Sequence, residues 1–232
     1  MYTYCDRISY SEVGADQKLD FFSLINYFQD CGCFHSDDLG CGLEYLAPKS
    51  LGWFVVNYEI HINKMPVYGQ KVKIGTHPYG FRGLMGNRLY VISSMEDEVL
   101  IYADSTWVLM NLEKNKPARI PAEILEGYST SVLDKEFQFE GSKLFPIKDA
   151  KQVGKFTVSE TYIDTNDHMN NSYYIDVTRR FIPDMEVHSI KINYKKPAQF
   201  RDELDVLLSP KDNGYQVLLT KEQEIYTIVE YK

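Results

Sequence analysis

This 232-residue chain has little cysteine, no excess of positive charge and no long apolar run, and each shortage excludes a class of protein. Its four cysteines form no Cys-x-x-Cys pair and have no histidine at zinc-site spacing, so we expect free thiols and no metal. They are Cys5, Cys31, Cys33 and Cys41. The net charge of −8 disfavours nucleic acid as a partner, because phosphate binding requires a basic surface.

The first residues and the hydropathy pattern bear on the compartment. Asp6 and Arg7 place charges where a secretory signal peptide needs an uninterrupted apolar segment. No later segment approaches the apolar length of a membrane span. Together with free cysteines, these features predict a cytoplasmic protein that does not associate with membranes.

Several common catalytic and binding motifs are also missing. No Gly-x-Ser-x-Gly occurs, which excludes the commonest serine hydrolase signature, and no phosphate-binding glycine loop occurs. No cysteine follows Cys41, so a site in the second half of the chain has no cysteine nucleophile of its own. The sequence predicts no cofactor.

The chain contains an internal repeat, which predicts two equivalent halves. Tyr58–Ile74 (YEIHINKMPVYGQKVKI) and Ile190–Val206 (IKINYKKPAQFRDELDV) both show an alternating strand, a break with lysine and proline, a polar turn and a second strand. A stripe of apolar residues at helical spacing precedes each copy, ending near Gly32 in the first half and before Pro183 in the second. Further strands are predicted at Arg88–Ser94, Leu100–Leu112, Tyr215–Thr220 and Ile225–Tyr231.

Each half is therefore predicted to be one helix followed by a curved antiparallel sheet, an α+β fold. We place the first half at residues 1–125, the second at 153–232, and a connecting segment at 126–152. A short helix predicted at Asp37–Leu46 has no counterpart in the second half.

The connecting segment shows no sustained periodicity. Its apolar residues nevertheless predict that it packs on the surface of the two halves. They are Phe137, Phe139, Leu144 and Phe145.

A dense polar run, Asp164–Asn171 (DTNDHMNN), stands before the second helix. Taken alone, such a run is more often a polar turn with a helix cap than a site, so its setting decides. Calcium is excluded because an EF-hand loop needs glycine and glutamate where Met169 and Ile175 stand. Zinc is excluded because the other histidines have no paired spacing. A metal-free site of carboxylate, amide and imidazole remains.

In this setting the run resembles the signature of the acyl-acyl carrier protein thioesterases of bacteria and plant plastids. The match is Asp-x-Asn-x-His-x-Asn-Asn over 164–171, then Tyr174, then Tyr-Lys-Lys at 194–196. In the first half it continues through Gly52-Trp53, the hairpin around Pro66 and Gly69, Ser105–Asn111 and Ile120-Pro121. The resemblance spans nearly the whole chain. It implies a tandem hotdog fold with an acyl pocket in the first domain and catalytic residues in the second.

The resemblance implies catalytic roles for Asp164, Asn166 and His168. Thioester hydrolysis needs an activated water, donors for the developing oxyanion and a proton for the leaving thiolate. A histidine can transfer that proton near neutral pH, and an amide can hold the pantetheine arm or the carbonyl. Asp164 can orient the imidazole or activate water itself. Asn170 and Asn171 are expected to cap the second helix and brace the turn.

One position departs from the family. Plant members carry a catalytic glutamate shortly after the Tyr-basic-basic run, where this chain has Pro197, Ala198 and Gln199. The amide of Gln199 can position a water molecule but cannot take its proton. The base is then Asp164, or a later carboxylate such as Asp202 or Glu203.

The resemblance implies acyl carrier protein as the partner. This protein is acidic and its prosthetic arm bears a phosphate, so electrostatic steering predicts contacts from basic residues. The candidates are Arg179, Arg180, Lys195 and Lys196. Some of these lysines alternate with apolar residues and also fit the solvated face of a strand.

The sequence leaves alternatives open. The resemblance favours a hydrolase of fatty acid metabolism that releases free fatty acid and holo carrier protein. An acyl-coenzyme A thioesterase of the same fold is a second possibility, and a non-catalytic module that binds acyl thioesters is a third. Acyl chain length stays open, as does the choice between a monomer and a homodimer.

Overall fold

A computed structural model describes residues 1–128, 137–141 and 143–232. The first half contains strands β1 (Tyr2–Arg7), β2 (Leu51–Ile62), β3 (Lys71–Arg82), β4 (Met85–Ser94), β5 (Val99–Asn111) and β6 (Lys116–Pro117). Its helices are α1 (Phe21–Asp38), α2 (Leu43–Leu46) and α3 (Ala122–Gly127). The second half contains β7 (Lys151–Thr157), α4 (Asn171–Arg179), β8 (Ser189–Tyr194), β9 (Glu203–Lys211), β10 (Gly214–Lys221) and β11 (Glu224–Tyr231).

The two halves repeat one strand order. The first runs β1-β3-β4-β5-β2 and the second β7-β9-β10-β11-β8, while β6 pairs with β5 at the side. β2 and β8 pair antiparallel through residues 57–61 and 193–189, so both halves belong to one continuous antiparallel sheet. The predicted duplication and the predicted strands are confirmed.

The helices differ from the prediction in the first half. α1 does not end near Gly32 but continues for six residues beyond it, because the missing side chain at Gly32 lets the helix approach the sheet. A Cβ atom at Gly32 would lie 2.8 Å from the hydroxyl oxygen of Tyr90. The helix predicted at Asp37–Leu46 is wrong in extent: the chain turns at Gly40, whose φ is +67°, and α2 covers only the last part.

One apolar core joins the two halves. α1 buries Leu24, Ile25, Phe28 and Cys31 against the first sheet. α4 buries Tyr174, Ile175 and Val177 in the same cluster, and the two helices contact each other. We therefore expect the halves to unfold together.

The described part of the connecting segment crosses the outer face of the sheet. Phe137 packs with Leu89 and Val91, and Leu144 packs with Leu218 and Ile228. Phe139 is partly buried beside Phe137, but Phe145 is 66% exposed, so the prediction for that residue is wrong.

Backbone N–H groups of the connecting segment bind side chains of the sheet. The N–H groups of Glu140, Leu144 and Ile147 donate to side-chain oxygens of three different strands, at 2.8 to 2.9 Å. The acceptors are Glu59, Asn193 and Gln216. The segment is thereby fixed on the sheet at several points along its length.

Two further properties concern the chain as a whole. All four cysteines are free, as predicted. Across the part of the chain that the structure describes, no helix is long and apolar enough to span a bilayer.

Candidate active site

Asp164, Asn166 and His168 lie on one tight turn, residues 163–169, between a 3₁₀ helix and α4; we call it the second-half turn. The backbone N–H of Asp164 donates to the carbonyl of His168 at 2.8 Å and closes the turn. One carboxylate oxygen of Asp164 accepts the N–H of Asn166 at 2.7 Å, which is an Asx turn. Asp167 takes a φ of +59°, a conformation that Asp tolerates better than most residues. The three predicted catalytic residues are thus brought together.

The turn is fastened to the segment that follows β8. The N–H of Met169 donates to the carbonyl of Ala198 at 2.8 Å, and the N–H of Ala198 donates to the hydroxyl of Tyr174 at 2.8 Å. Gln199 follows directly and is exposed. The residues that stand in place of the plant glutamate therefore lie beside the turn.

His168 faces the first half of the molecule. Its ring contacts Phe54 of β2 edge to face, with centroids 6.2 Å apart. Its Nδ1 is buried and has no hydrogen-bond partner among the residues that the structure describes. A buried polar atom without a partner costs about 1–3 kcal/mol, so this nitrogen is arranged for a water molecule or a substrate.

Asn170 and Asn171 hold α4 against α1. Asn170 is the N-cap of α4, as predicted, and its side-chain oxygen accepts from the N–H of Ser172 at 3.0 Å. The amide of Gln29, on α1, donates to that oxygen at 3.3 Å and accepts from the Asn171 side chain at 2.9 Å. The hydroxyl of Tyr194 donates to the carbonyl of Asn171 at 3.0 Å. Both asparagine side chains are therefore engaged in positioning the helix.

The two later carboxylates considered as bases are engaged elsewhere. Asp202 accepts from the N–H of Gln199 at 2.8 Å and from the ammonium of Lys221 at 2.7 Å. Partial burial alone would raise the pKa of Asp202, but these two bonds together lower it. Glu203 pairs with Lys155 at 2.5 Å on the surface. Of the two carboxylates on the turn, Asp167 is exposed and Asp164 is partly buried, and the second oxygen of Asp164 has no partner in the described residues.

Lys195 and Lys196 immediately precede Pro197 and Ala198, the segment that holds Met169. Lys195 donates to the side chain of Asn193 at 3.3 Å. Lys196 pairs with Glu224 at 2.5 Å, and both lysines are exposed.

Arg179 and Arg180 lie at the opposite end of α4, about 13 Å along the helix from its start. Arg179 pairs with Asp184 at 3.6 Å, and Arg180 pairs with Asp176. The four basic residues predicted to contact one partner therefore form two separate groups.

The first half contains a turn of the same backbone geometry, residues 13–19, which we call the first-half turn. The N–H of Gly14 donates to the carbonyl of Lys18 at 3.0 Å, and Gln17 has a φ of +61°. Asp20 caps α1 as Asn170 caps α4. Counted from these caps, Gly14, Asp16 and Lys18 stand where the second-half turn carries Asp, Asn and His.

The two turns differ in side chains, and of the two only the second carries a carboxylate, an amide and an imidazole together. A cleft of about 580 Å³ lies beside the first-half turn and is lined also by the end of α4. The first-half turn itself carries no histidine, and the imidazole that lines the cleft, that of His188, comes from another segment.

Sequence reasoning did not identify two residues that complete the site, Gln29 and Phe54. Both come from the first half and approach the turn only in the folded chain. Gln29 is a polar residue within the apolar pattern of α1, which was a weak signal. Phe54 had no distinguishing pattern.

Comparisons with known proteins show the family to which this chain belongs. The family models described as acyl-ACP thioesterase N-terminal domain and C-terminal domain match residues 2–128 and 147–229. A palmitoyl-acyl carrier protein thioesterase from Gossypium hirsutum is 28% identical over 226 residues, covering 88% of this chain and 53% of that protein. An acyl-[acyl-carrier-protein] hydrolase from Cuphea viscosissima is 24% identical over 223 residues, covering 88% and 53%. The chain spans about half the length of these curated relatives.

Solved structures are similar over their whole length. An acyl-ACP thioesterase from Bacteroides thetaiotaomicron has a TM-score of 0.89 at 22% identity, covering 99% of this chain and 96% of that one. A 12:0-ACP thioesterase from Umbellularia californica has a TM-score of 0.87 at 20% identity, covering 100% and 96%. At this level of identity the likeness shows the fold, which is the tandem hotdog fold predicted from the sequence.

Proposed function

Since this chain belongs to the acyl-acyl carrier protein thioesterase family, we propose that it hydrolyses fatty acyl thioesters of acyl carrier protein. The products are a free fatty acid and the carrier protein with its pantetheine thiol. The observation that supports this most directly is the second-half turn. It joins a carboxylate with a free oxygen, an exposed amide and a partly buried imidazole at the junction of the two halves.

Each of the three residues has a step in the proposed reaction. Asp164 takes a proton from water while the water oxygen attacks the thioester carbonyl carbon. The exposed side-chain amide of Asn166 donates to the oxyanion that forms. The carbon–sulfur bond then breaks, and His168 gives a proton to the departing pantetheine thiolate. The proton taken by Asp164 passes through solvent to restore His168, and the fatty acid product loses its own proton to water, so the atoms and charges balance.

The carrier protein docks, in this proposal, at Lys195 and Lys196. These lysines are exposed and adjoin the segment that contacts the turn, whereas Arg179 and Arg180 lie at the far end of α4. Carrier-linked acyl groups formed in the cytoplasm are the expected substrates, following the compartment predicted from the sequence.

The first-half turn offers a matched control for the experiment. We would measure release of free thiol from a panel of carrier-protein thioesters with wild type, Asp164→Ala and His168→Ala. The control variants are Asp16→Ala and Lys18→Ala, on the equivalent turn. We expect turnover to fall at least 100-fold in the first pair, the order of a lost general acid–base group, and to persist in the second.

Two outcomes would contradict the proposal. If wild type releases thiol from no carrier-linked chain length but does so from acyl-coenzyme A, the carrier protein is the wrong substrate. If both pairs of variants lose activity equally, the second-half turn is not the site.

A further inference from the structure

A buried cation in the first half takes no part in the proposed chemistry. Arg88, on β4, is only 8% exposed and has no carboxylate partner in the described parts of the chain. Its Nη1 donates to Thr76 at 3.2 Å and to the Nδ1 of His35 at 3.1 Å, and its guanidinium lies 5.1 Å from the ring centre of Tyr128. Burial, together with the adjacent Arg88, lowers the pKa of His35 to about 4, so His35 is a neutral acceptor. The guanidinium has five N–H donors, and those of Nε and Nη2 have no acceptor among the described residues.

Two buried hydroxyls lie close to this cation. Tyr58 and Tyr90 are 0% exposed, and neither hydroxyl has a hydrogen-bond partner among the described residues. Their ring centres are 6.3 Å apart, and both rings contact Phe28 of α1, so they face the helix side of the sheet. Native proteins rarely leave buried hydroxyls unpaired, which makes two together an indication of a missing partner.

The sheet register places these groups around small residues. Ser105 pairs with Tyr58 on one side and with Arg88 on the other, so the three form one row across β2, β5 and β4. Tyr90 stands two residues after Arg88 on the same face and pairs with Ala103. Serine and alanine therefore separate three long polar side chains.

A series of ring contacts connects this patch with the candidate active site. Tyr174, whose hydroxyl accepts from the Ala198 amide beside the second-half turn, contacts Tyr194 with centroids 5.4 Å apart. Tyr194 contacts Tyr58 at 6.5 Å. The patch thus lies in the first half, beyond an aromatic wall that starts at the turn.

We propose that Tyr58, Arg88 and Tyr90 bind an oxygen atom carried by the acyl chain of the substrate. The enzyme then prefers acyl groups that bear a hydroxyl, keto or carboxylate oxygen over plain hydrocarbon chains of the same length. A plain chain would leave the hydroxyls of Tyr58 and Tyr90 without a partner among the described residues, and sites of this kind discriminate strongly against analogues that lack the polar atom. This inference rests on the proposed function, because it concerns the substrate of that site.

The test uses matched pairs of acyl thioesters, with equal chain length and with or without an oxygen substituent at successive positions. Hydroxyl and carboxylate versions are separate arms of the panel. For wild type we expect kcat/KM to be at least about tenfold higher for the best oxygen-bearing chain than for its plain partner. Tyr58→Phe and Tyr90→Phe should lower that ratio severalfold, and Arg88→Met should abolish it.

Two control variants separate recognition from general effects. Tyr102→Phe changes a tyrosine on the outer face of the same sheet, where its ring stacks on His61, and Arg82→Met changes an exposed arginine at the end of β3. Both should keep the wild-type ratio. The Tyr58→Phe and Tyr90→Phe variants remove hydroxyls that have no partner among the described residues, so both variants should fold as wild type does. Their substrate preference can therefore be measured even if Arg88→Met is unstable.

The outcomes distinguish this inference from the proposed function. Turnover of plain and oxygen-bearing chains at equal rates at every position would overturn the inference and leave the hydrolase intact. A tenfold preference that survives Tyr58→Phe, Tyr90→Phe and Arg88→Met would overturn it as well. If wild type hydrolyses no thioester, the proposed function fails. The inference is then tested by calorimetry, as the ratio of the Kd values of the plain and the oxygen-bearing chain in each pair.

Discussion

Removing the hydroxyl of Tyr174 is expected to destabilise the protein and to slow the reaction. Tyr174 is 2% exposed, and its oxygen accepts the N–H of the fully buried Ala198 at 2.8 Å. Tyr174→Phe keeps the ring but leaves that N–H unpaired in the core, which costs about 1–3 kcal/mol. In a chain of this size each kcal/mol lowers the midpoint of thermal unfolding by about 2–4 °C, so we expect a decrease of about 2–12 °C.

The activity should fall because the same segment holds the second-half turn. The carbonyl of Ala198 accepts the N–H of Met169 at 2.8 Å, next to His168. A displaced Ala198 amide therefore shifts the imidazole, and we expect kcat to decrease roughly tenfold while KM changes little.

Tyr90→Phe is the matched control, since it makes the same chemical change at a hydroxyl without a described partner. Its free energy of unfolding should equal or exceed that of wild type. Urea denaturation followed by tryptophan fluorescence measures all three proteins, and equal slopes would show that the comparison is valid. The reasoning is refuted if Tyr174→Phe is as stable as wild type, or if Tyr90→Phe loses as much stability as Tyr174→Phe.

Two further predictions concern charge. Replacing Lys195 and Lys196 by glutamate should raise KM for carrier-linked substrates by about tenfold at low salt and leave KM for the coenzyme A analogue nearly unchanged. Arg180→Glu, at the far end of α4, is the control and should have little effect on either KM. Equal increases in KM for both substrates would exclude docking at these lysines. Burial raises the pKa of Asp104 to about 6, despite the hydrogen bond from Tyr79 at 2.7 Å. The folded state then binds more protons than the unfolded state between about pH 4 and 6, so this group lowers stability as pH rises through that window. Asp104→Asn should raise the free energy of unfolding above pH 6 by up to about 3 kcal/mol and flatten its pH dependence. Urea denaturation at pH 4 and at pH 7 measures both effects. An unchanged dependence of stability on pH would contradict the raised pKa of Asp104.

The sequence predicted the strands well, because their residues alternate between a buried and a solvated face. β10 extends one residue beyond the predicted Tyr215–Thr220 at each end, and β11 begins one residue before the predicted Ile225–Tyr231. Alternation with period two is a local property, and the turns between strands carry their own residue preferences.

The helix ends of the first half were harder to predict, because the contacts that determine them join residues distant in sequence. Gly32 normally weakens a helix, and only the approach of Tyr90 explains why α1 continues through it. The same holds for the site. Asp164, Asn166 and His168 form a local motif, whereas Gln29 reaches it through the contact of α1 with α4 and Phe54 lies on β2, which pairs with β8.

The repeat explains why one chain carries one set of candidate catalytic residues and not two. Both turns have the same closing hydrogen bond, a residue with positive φ at the equivalent position and a side-chain cap on the following helix. Backbone geometry alone therefore does not define the chemistry. The surroundings differ as well as the turns. Nine residues after each cap, α1 presents Gln29, whose amide both donates and accepts at the second-half turn, whereas α4 presents Arg179, which only donates and pairs with Asp184. An amide can hold two asparagines in place at once, and a guanidinium cannot accept a bond from either. The divergence of the two halves therefore includes the helix residue nine positions after each cap, and chemistry at the second-half turn depends on α1 of the first half.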